Sequence, residues 1–384
     1  MRAGFTAAAL ALVLAAAACD EPARQTGGRE ILIVGVAGGA EQGITKNVET
    51  GVDMAVREYN SHPDSTYQVR RQTFDTGGTA EGSAAAGQAI LSTERLIGII
   101  GPHGVEEVMA IGGGLSENRI PILIPAVSDV RLGQQGWRSF RRLVASDFGE
   151  GEALGLEAAA RGDRAKVALF HDGGPATAAV IEGAKSALDG QQVPISRFEE
   201  FGGESPDFAA LAGSMAADHP AVVIYAGPAA RAGAFLAALR AGGFQGPFLA
   251  SHDARGEGFR EAAGEAVEGT ITACVCADPG DRQLQEFAER YRGRFGTGLP
   301  IFAVEAYEGA FMVLEAIQEV EARPRAITDF FGVATEFLGE SKVYRYAENG
   351  ELQAPPVWLY QARGDAWQAI GRSRTPEDEA GSVR

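Results

Sequence analysis

The chain is 384 residues long, with 45% hydrophobic and 22% charged residues, enough apolar material for a large core that needs no disulfides. Its length suits two domains better than one. A net charge of -17, from 51 acidic against 34 basic side chains, excludes a nucleic-acid binder working through a basic stripe and excludes electrostatic adhesion to anionic lipid.

The first segment runs from Met1 to Cys19. Arg2 supplies one positive charge, an alanine-rich apolar run follows, and Ala16-Ala17-Ala18-Cys19 closes it before polar residues begin. That layout is a secretory signal, and the run is too short for a comfortable membrane span. A cysteine directly after small residues resembles the lipobox of bacterial lipoproteins, which usually carries leucine where Ala16 stands. The resemblance implies acylation of Cys19 and a lipid anchor without a spanning helix. Cleavage near Ala18, leaving a free thiol, is the competing reading. Residues 20–29 read as a flexible tether.

Beyond the tether, short apolar strands alternate with amphipathic helices. Ile31 to Val36 is the first strand, and Ile44 to Asn60 is a helix with Val48, Val52, Ala55, Val56 and Tyr59 on one face. Tyr67 to Phe74, Leu96 to Ile100 and Pro121 to Ile124 are further strands, separated by helices over Glu81 to Thr93 and Glu106 to Asn118. The pattern restarts after Asp147. Strands are expected at Val167 to Phe170, Val222 to Tyr225 and Phe248 to Ala250. Helices are expected near Ala176 to Leu188, Pro206 to Ala217, Pro228 to Ala241 and Gly256 to Ala263. Such runs predict parallel sheets covered on both faces, and two series predict two α/β lobes.

A long β-branched strand, Gly269 to Cys276, comes next, then helices over Gln283 to Phe295 and Ala303 to Val320. Asn349-Gly350 between Val343-Tyr344-Arg345-Tyr346 and Val357-Trp358-Leu359-Tyr360 signals a hairpin. The end from Arg372 is polar and expected to be disordered. Cys274 and Cys276 share one strand face, a spacing unfavourable for an unstrained disulfide and unlike a zinc motif, so both are expected as small buried apolar side chains.

The order and spacing of several segments resemble the extracytoplasmic solute-binding proteins of ABC transporters, of the leucine/isoleucine/valine-binding (type I periplasmic binding protein) family. Those segments are Gly51 to Asn60, Phe74-Asp75-Thr76, Ile99-Ile100-Gly101-Pro102, Pro121 to Pro125, and Ala262 to Gly269. The likeness covers about Ile31 to Trp367. It implies an α/β fold of two doubly wound parallel-sheet lobes joined by a multi-strand hinge. Lobe 1 takes residues 30–145 plus 277–338, lobe 2 takes 146–272 plus 339–372, and 373–384 form a tail. Gly269 to Cys276 becomes a hinge crossing.

Ligands of open parallel sheets sit beyond the carboxyl ends of the strands, where free helix N–H groups favour a carboxylate. The expected ligand residues are therefore His103, Gly104, Val105, Val127 and Ser128 from lobe 1, with Asp172, Gly227, His252 and Asp253 from lobe 2. In amino-acid binders of the family, a hydroxyl residue and a threonine hold the α-carboxylate and an acid in lobe 2 holds the ammonium. Ser128 matches the threonine, Asp253 or His252 the acid, and Val105 stands at the hydroxyl position. Plain structural roles compete: Ser128 as a turn cap, and Asp172 and Asp253 as helix starters. His103, His171 and His252 all fall at strand ends, a loose pattern for a metal. No P-loop, no Gly-x-Ser-x-Gly elbow and no His-Glu-x-x-His occurs, so neither an enzyme nor a cofactor is expected.

The resemblance thus implies a binding protein on the bacterial membrane, lipid-anchored at Cys19. It captures an amino acid or related small carboxylate or amide and delivers it to an ABC permease. A ligand-sensing regulatory lipoprotein without an importer is the alternative, and an extracytoplasmic enzyme built on the His-Asp pairs is a third class.

Overall fold

A computed structural model of the chain describes residues 29–39, 42–202, 206–215, 217–256, 258–334 and 336–373. The signal segment with Cys19, nearly all of the tether and the tail from residue 374 lie outside the described residues.

The chain opens with β1 (Ile31–Gly38), α1 (Gln42–Ser61), β2 (Gln68–Asp75), α2 (Ala80–Leu91), β3 (Leu96–Ile100), α3 (Val105–Glu117), β4 (Ile122–Ile124) and β5 (Phe140–Arg142). It continues through α4 (Asp147–Arg161), β6 (Val167–His171), α5 (Pro175–Gly190), β7 (Ile195–Glu200), α6 (Phe208–Met215), β8 (Val222–Ala226), α7 (Ala229–Ala241), β9 (Phe248–Ala250), α8 (Phe259–Ala263) and β10 (Ile271–Cys274). It closes with α9 (Gln285–Phe295), α10 (Ala303–Glu319), α11 (Pro324–Phe331), β11 (Glu336–Leu338), β12 (Val343–Arg345), β13 (Trp358–Arg363) and β14 (Ala366–Arg372).

Two large sheets result, as the alternation predicts, beside a small two-stranded sheet of β11 and β12. The first is wholly parallel, in the order β2-β1-β3-β4-β5. The second runs β14-β13-β10-β9-β8-β6-β7, with β13 antiparallel to both of its neighbours, β10 and β14. β3, β6 and β8 are buried along their whole length, the signature of strands covered on both faces. Helices α9 and α10 return to the first sheet, where Phe287, Val304 and Val313 pack with Val34, Val52 and Leu123.

Helices α4 and α5 lie side by side on the second sheet, and two glycines set their separation. A Cβ on Gly151 would sit 1.8 Å from the Val180 carbonyl oxygen, and one on Gly183 would sit 2.0 Å from that of Phe148. Gly151→Ala must push the backbones apart, and overpacking of this kind costs about 1–3 kcal/mol. Urea unfolding of the variant shows this as a lower midpoint; an unchanged midpoint would mean the helices are not in contact as described.

The chain passes between the sheets at residues 143–146, 275–284 and 346–357. At the second crossing, Ala273 and Val275 enter the core of the second sheet, while Cys274 and Cys276 enter that of the first. Here one expectation fails. Cys274 and Cys276 form a disulfide, with Cα atoms 5.2 Å apart. A fully extended strand would separate positions i and i+2 by about 6.7 Å, and the shorter spacing lies within the range that a disulfide spans. The strand itself ends at Cys274.

The predicted hairpin is also corrected. The Asn349-Gly350 turn forms, with Gly350 at φ 81° and an antiparallel bridge between Tyr346 and Leu352. The flanking strands separate instead of pairing: β12 pairs with β11, while β13 lies between β10 and β14. Pro355-Pro356 removes two consecutive backbone donors where a continuous hairpin would need them.

Candidate ligand site

The carboxyl ends of β3 and β4 form one wall. After β3, Gly101 takes a left-handed φ of 91° and the chain turns into α3. His103 is half-buried beside β1, where a Cβ on Gly38 would meet its Nδ1 at 2.8 Å. Gly104 precedes α3, and its N–H donates to Glu107 Oε2 at 2.8 Å. Glu107 is buried and also accepts from the Thr76 hydroxyl. Val105 begins the helix, so its N–H, like that of Glu106, has no intrahelical acceptor. Val127 is buried below Ser128 at the end of β4.

Ser128 is where the two halves of the molecule meet. Its carbonyl accepts from the Asp147 N–H at 2.9 Å, and its hydroxyl lies near enough to the Asp147 carboxylate to favour the ionised form. Asp147 is the first residue of α4, which Ser146 caps by accepting from the Gly149 N–H at 3.2 Å. Burial pushes the Asp147 carboxyl up to about 6, the Ser128 hydroxyl opposes the shift and nearby Glu150 adds to it. Its Oδ2 has no partner among the described residues.

The second wall is built from the ends of β6, β8 and β9. His171 is buried; its Nδ1 accepts from the Gly173 N–H at 3.2 Å, and burial pulls its pKa down. Asp172 holds the turn into α5, accepting from the Gly174 N–H at 3.1 Å and the Thr177 hydroxyl at 2.6 Å. The Gly227 N–H donates to Ser251 Oγ at 3.3 Å, and a Cβ on Gly227 would lie 2.6 Å from the Tyr225 hydroxyl. That hydroxyl is buried without a partner among the described residues, close enough to Asp172 and Asp253 to feel both charges.

His252 and Asp253 open a short 3-10 turn, His252–Arg255, after β9. The wholly buried Glu150, one turn along α4 from Asp147, grips His252 twice: Oε1 accepts its backbone N–H at 2.6 Å and Oε2 lies 2.6 Å from Nδ1. Burial disfavours the imidazolium, but the Glu150 charge and hydrogen bond outweigh it and hold His252 up at about 10. Asp253 lies 3.6 Å from His252 Nε2 with about half of its side chain exposed, and burial raises its carboxyl while His252 lowers it.

The structure therefore links Ser128, through Asp147 and Glu150, to His252 and Asp253. It sets Asp172 and Gly227 around the Tyr225 hydroxyl, and leaves His103, Gly104, Val105 and Val127 along the edge of the first sheet. Asp147, Glu150 and Tyr225 are the participants that sequence reasoning missed. Two acids three apart at a helix start normally read as a favourable interaction with the helix dipole, so nothing in their spacing marks them as a site. Chemically, the second wall offers acceptors to an ammonium and the first offers helix N–H groups to an anion. Among the described residues, no group of three or more His, Cys, Asp or Glu is arranged to hold a metal, and His103, His171 and His252 form no such group. No described helix is long and apolar enough to cross a membrane.

The sequence profile of a family described as periplasmic binding protein matches residues 32–363. No curated protein matches in sequence. Among solved structures, the chain is similar to a leucine binding protein, LivK, from Thermotoga maritima, at 20% identity over 90% of this chain and 99% of that one, with a TM-score of 0.68. An ABC transporter substrate-binding protein from Desulfitobacterium hafniense in complex with Leu matches at 17% identity, covering 89% and 100%, with a TM-score of 0.74. A solute binding protein of an ABC transporter from R. palustris, in complex with benzoate, matches at 15% identity, covering 90% and 97%, with a TM-score of 0.63.

Proposed function

We propose, because the chain belongs to the periplasmic binding protein family, that it is an extracytoplasmic solute-binding protein, not an enzyme, which captures an amino acid or a related small carboxylate or amide between its two lobes and delivers it to an ABC importer. The observation that carries this reading is the polar cluster joining Ser128 of the first sheet to Asp147, Glu150, His252 and Asp253 of the second, at the carboxyl ends of parallel strands. Similar folds hold leucine in one relative and benzoate in another, which supports a small carboxylate-bearing ligand.

In this reading the N–H groups at the start of α3, near His103, Gly104 and Val105, receive the ligand's carboxylate. Val127 and Ser128 form the floor, and Asp172, Gly227, His252 and Asp253 close from the other side. The lobes, 30–145 plus 277–338 and 146–272 plus 339–372, approach each other about the crossings, and the ligand stabilises the closed arrangement by touching both. The signal segment places the protein outside the cytoplasm, and acylation of Cys19 holds it at the membrane on the tether of residues 20–29.

Calorimetric titration against leucine, isoleucine, valine, other amino acids and benzoate tests the ligand class, and no heat from any of them would reject it. The half-exposed Asp253 carboxylate becomes desolvated when a ligand covers it. Asp253→Asn is therefore expected to weaken an amino-acid ligand by about tenfold or more, the equivalent of one charge-assisted hydrogen bond. Equal affinity in the variant would remove Asp253 from the site.

A further inference from the structure

Arg141, on β5 at the edge of the first sheet, is a buried cation without a counter-ion among the described residues. It is 5% exposed. Its terminal nitrogens donate to the carbonyl oxygens of Phe140 at 2.6 Å, Arg138 at 3.3 Å and Phe331 at 2.5 Å, while Nε has no partner among the described residues. The guanidinium also stacks near the Phe331 and Tyr346 rings, at 5.9 and 5.4 Å. Burial pulls its pKa down, Tyr346 opposes the shift, and no carboxylate among the described residues offsets it. Its neighbour Arg142 is treated differently, being clamped by both oxygens of Glu351 at 2.6 and 2.7 Å.

Carbonyl dipoles and ring faces solvate a guanidinium but do not neutralise it, and an uncompensated buried charge is unfavourable. Arg141 lines a recess of about 540 Å³ that Arg119 and Arg138 also line. Two acids share it, Asp329 and Glu348, but Arg119 already holds Asp329 at 2.7 Å. Arg138 is exposed and forms no ion pair among the described residues. Positive charge is thus in local excess on a chain whose net charge is -17.

We propose that this recess binds a small tetrahedral oxyanion of the phosphate class, with Arg141 supplying the uncompensated charge at its floor and Arg138 and Arg119 the donors at its rim. The site lies apart from the strand ends of the candidate ligand site and does not depend on that reading. A free anion suits it better than a lipid headgroup, because the acidic surface of the whole chain is repelled by anionic membranes.

The test is calorimetric titration of the full chain with inorganic phosphate at low ionic strength, beside sedimentation with phosphatidylglycerol vesicles. One saturable phosphate site is expected, weakened about tenfold or more in Arg141→Met and in Arg138→Ala, since each variant removes a charge-assisted interaction. Arg138→Ala alters an exposed side chain and is expected to leave the thermal midpoint unchanged, so the proposal stays testable should Arg141→Met fail to fold. An absence of phosphate binding, equal affinity in both variants, or association with vesicles alone would overturn it.

Discussion

Replacing Glu150 with alanine is expected to lower the unfolding free energy by about 3 kcal/mol at neutral pH, the low end of what removing one member of a buried ion pair costs, since His252 is partly exposed. Glu150 is completely buried and makes two 2.6 Å contacts with one residue, so its loss leaves both the imidazolium and the His252 N–H unanswered. Glu150→Gln separates charge from shape. His252 is held at about 10 in the folded protein, against about 6.5 in an unfolded chain. Its contribution to stability is therefore complete below about pH 6.5 and disappears as pH rises through about 10. Urea unfolding between about pH 6 and about pH 10 should show the wild type converging on the glutamine variant as pH rises. A constant gap across that range would show that the charge on Glu150 does not hold the histidine.

Asp147→Asn has the opposite sign. Burial holds the Asp147 carboxyl at about 6 in the folded state, against about 3.9 when unfolded. The folded protein is thus relatively favoured below the unfolded value, and that advantage is lost as pH climbs through about 6. Above this window Asp147 is a net burden of up to about 3 kcal/mol, at about 1.4 kcal/mol for each pH unit separating the two values. Asparagine keeps an oxygen for the Ser128 hydroxyl and carries no charge to desolvate. The variant should be more stable than wild type at pH 7.5 and equal to it at pH 4 by chemical denaturation. A variant less stable at pH 7.5 would mean that the ionised carboxylate is stabilised by a partner in the folded protein.

The architecture was legible because parallel strands covered on both faces write themselves as unbroken apolar runs, as in Leu96 to Ile100 and Val222 to Tyr225. β5 was hidden for the reverse reason. Phe140-Arg141-Arg142 carries two arginines into the interior, one neutralised by Glu351 and the other solvated by carbonyls that include Phe331, and both Glu351 and Phe331 are far away in sequence. β7, Ile195–Glu200, is an edge strand with four polar residues, and its intermediate burial leaves no apolar run to recognise. The location of the candidate site followed from topology alone, at the ends of strands. Its inner wiring did not, because Glu150 meets His252 across 102 positions of chain, and only the packing of α4 on the second sheet brings them together.

The bond between Cys274 and Cys276 closes a small covalent ring within one of the three connections between the sheets. The residues inside that ring, 274–276, can neither stretch nor coil, so they behave as a fixed pivot post. Any swing of one half of the molecule against the other must draw its torsion from residues 143–146 and 346–357 and from the part of the second crossing beyond Cys276. The stretch 346–357 holds the Asn349-Gly350 turn and the proline pair, a loose strap beside a stiff pin.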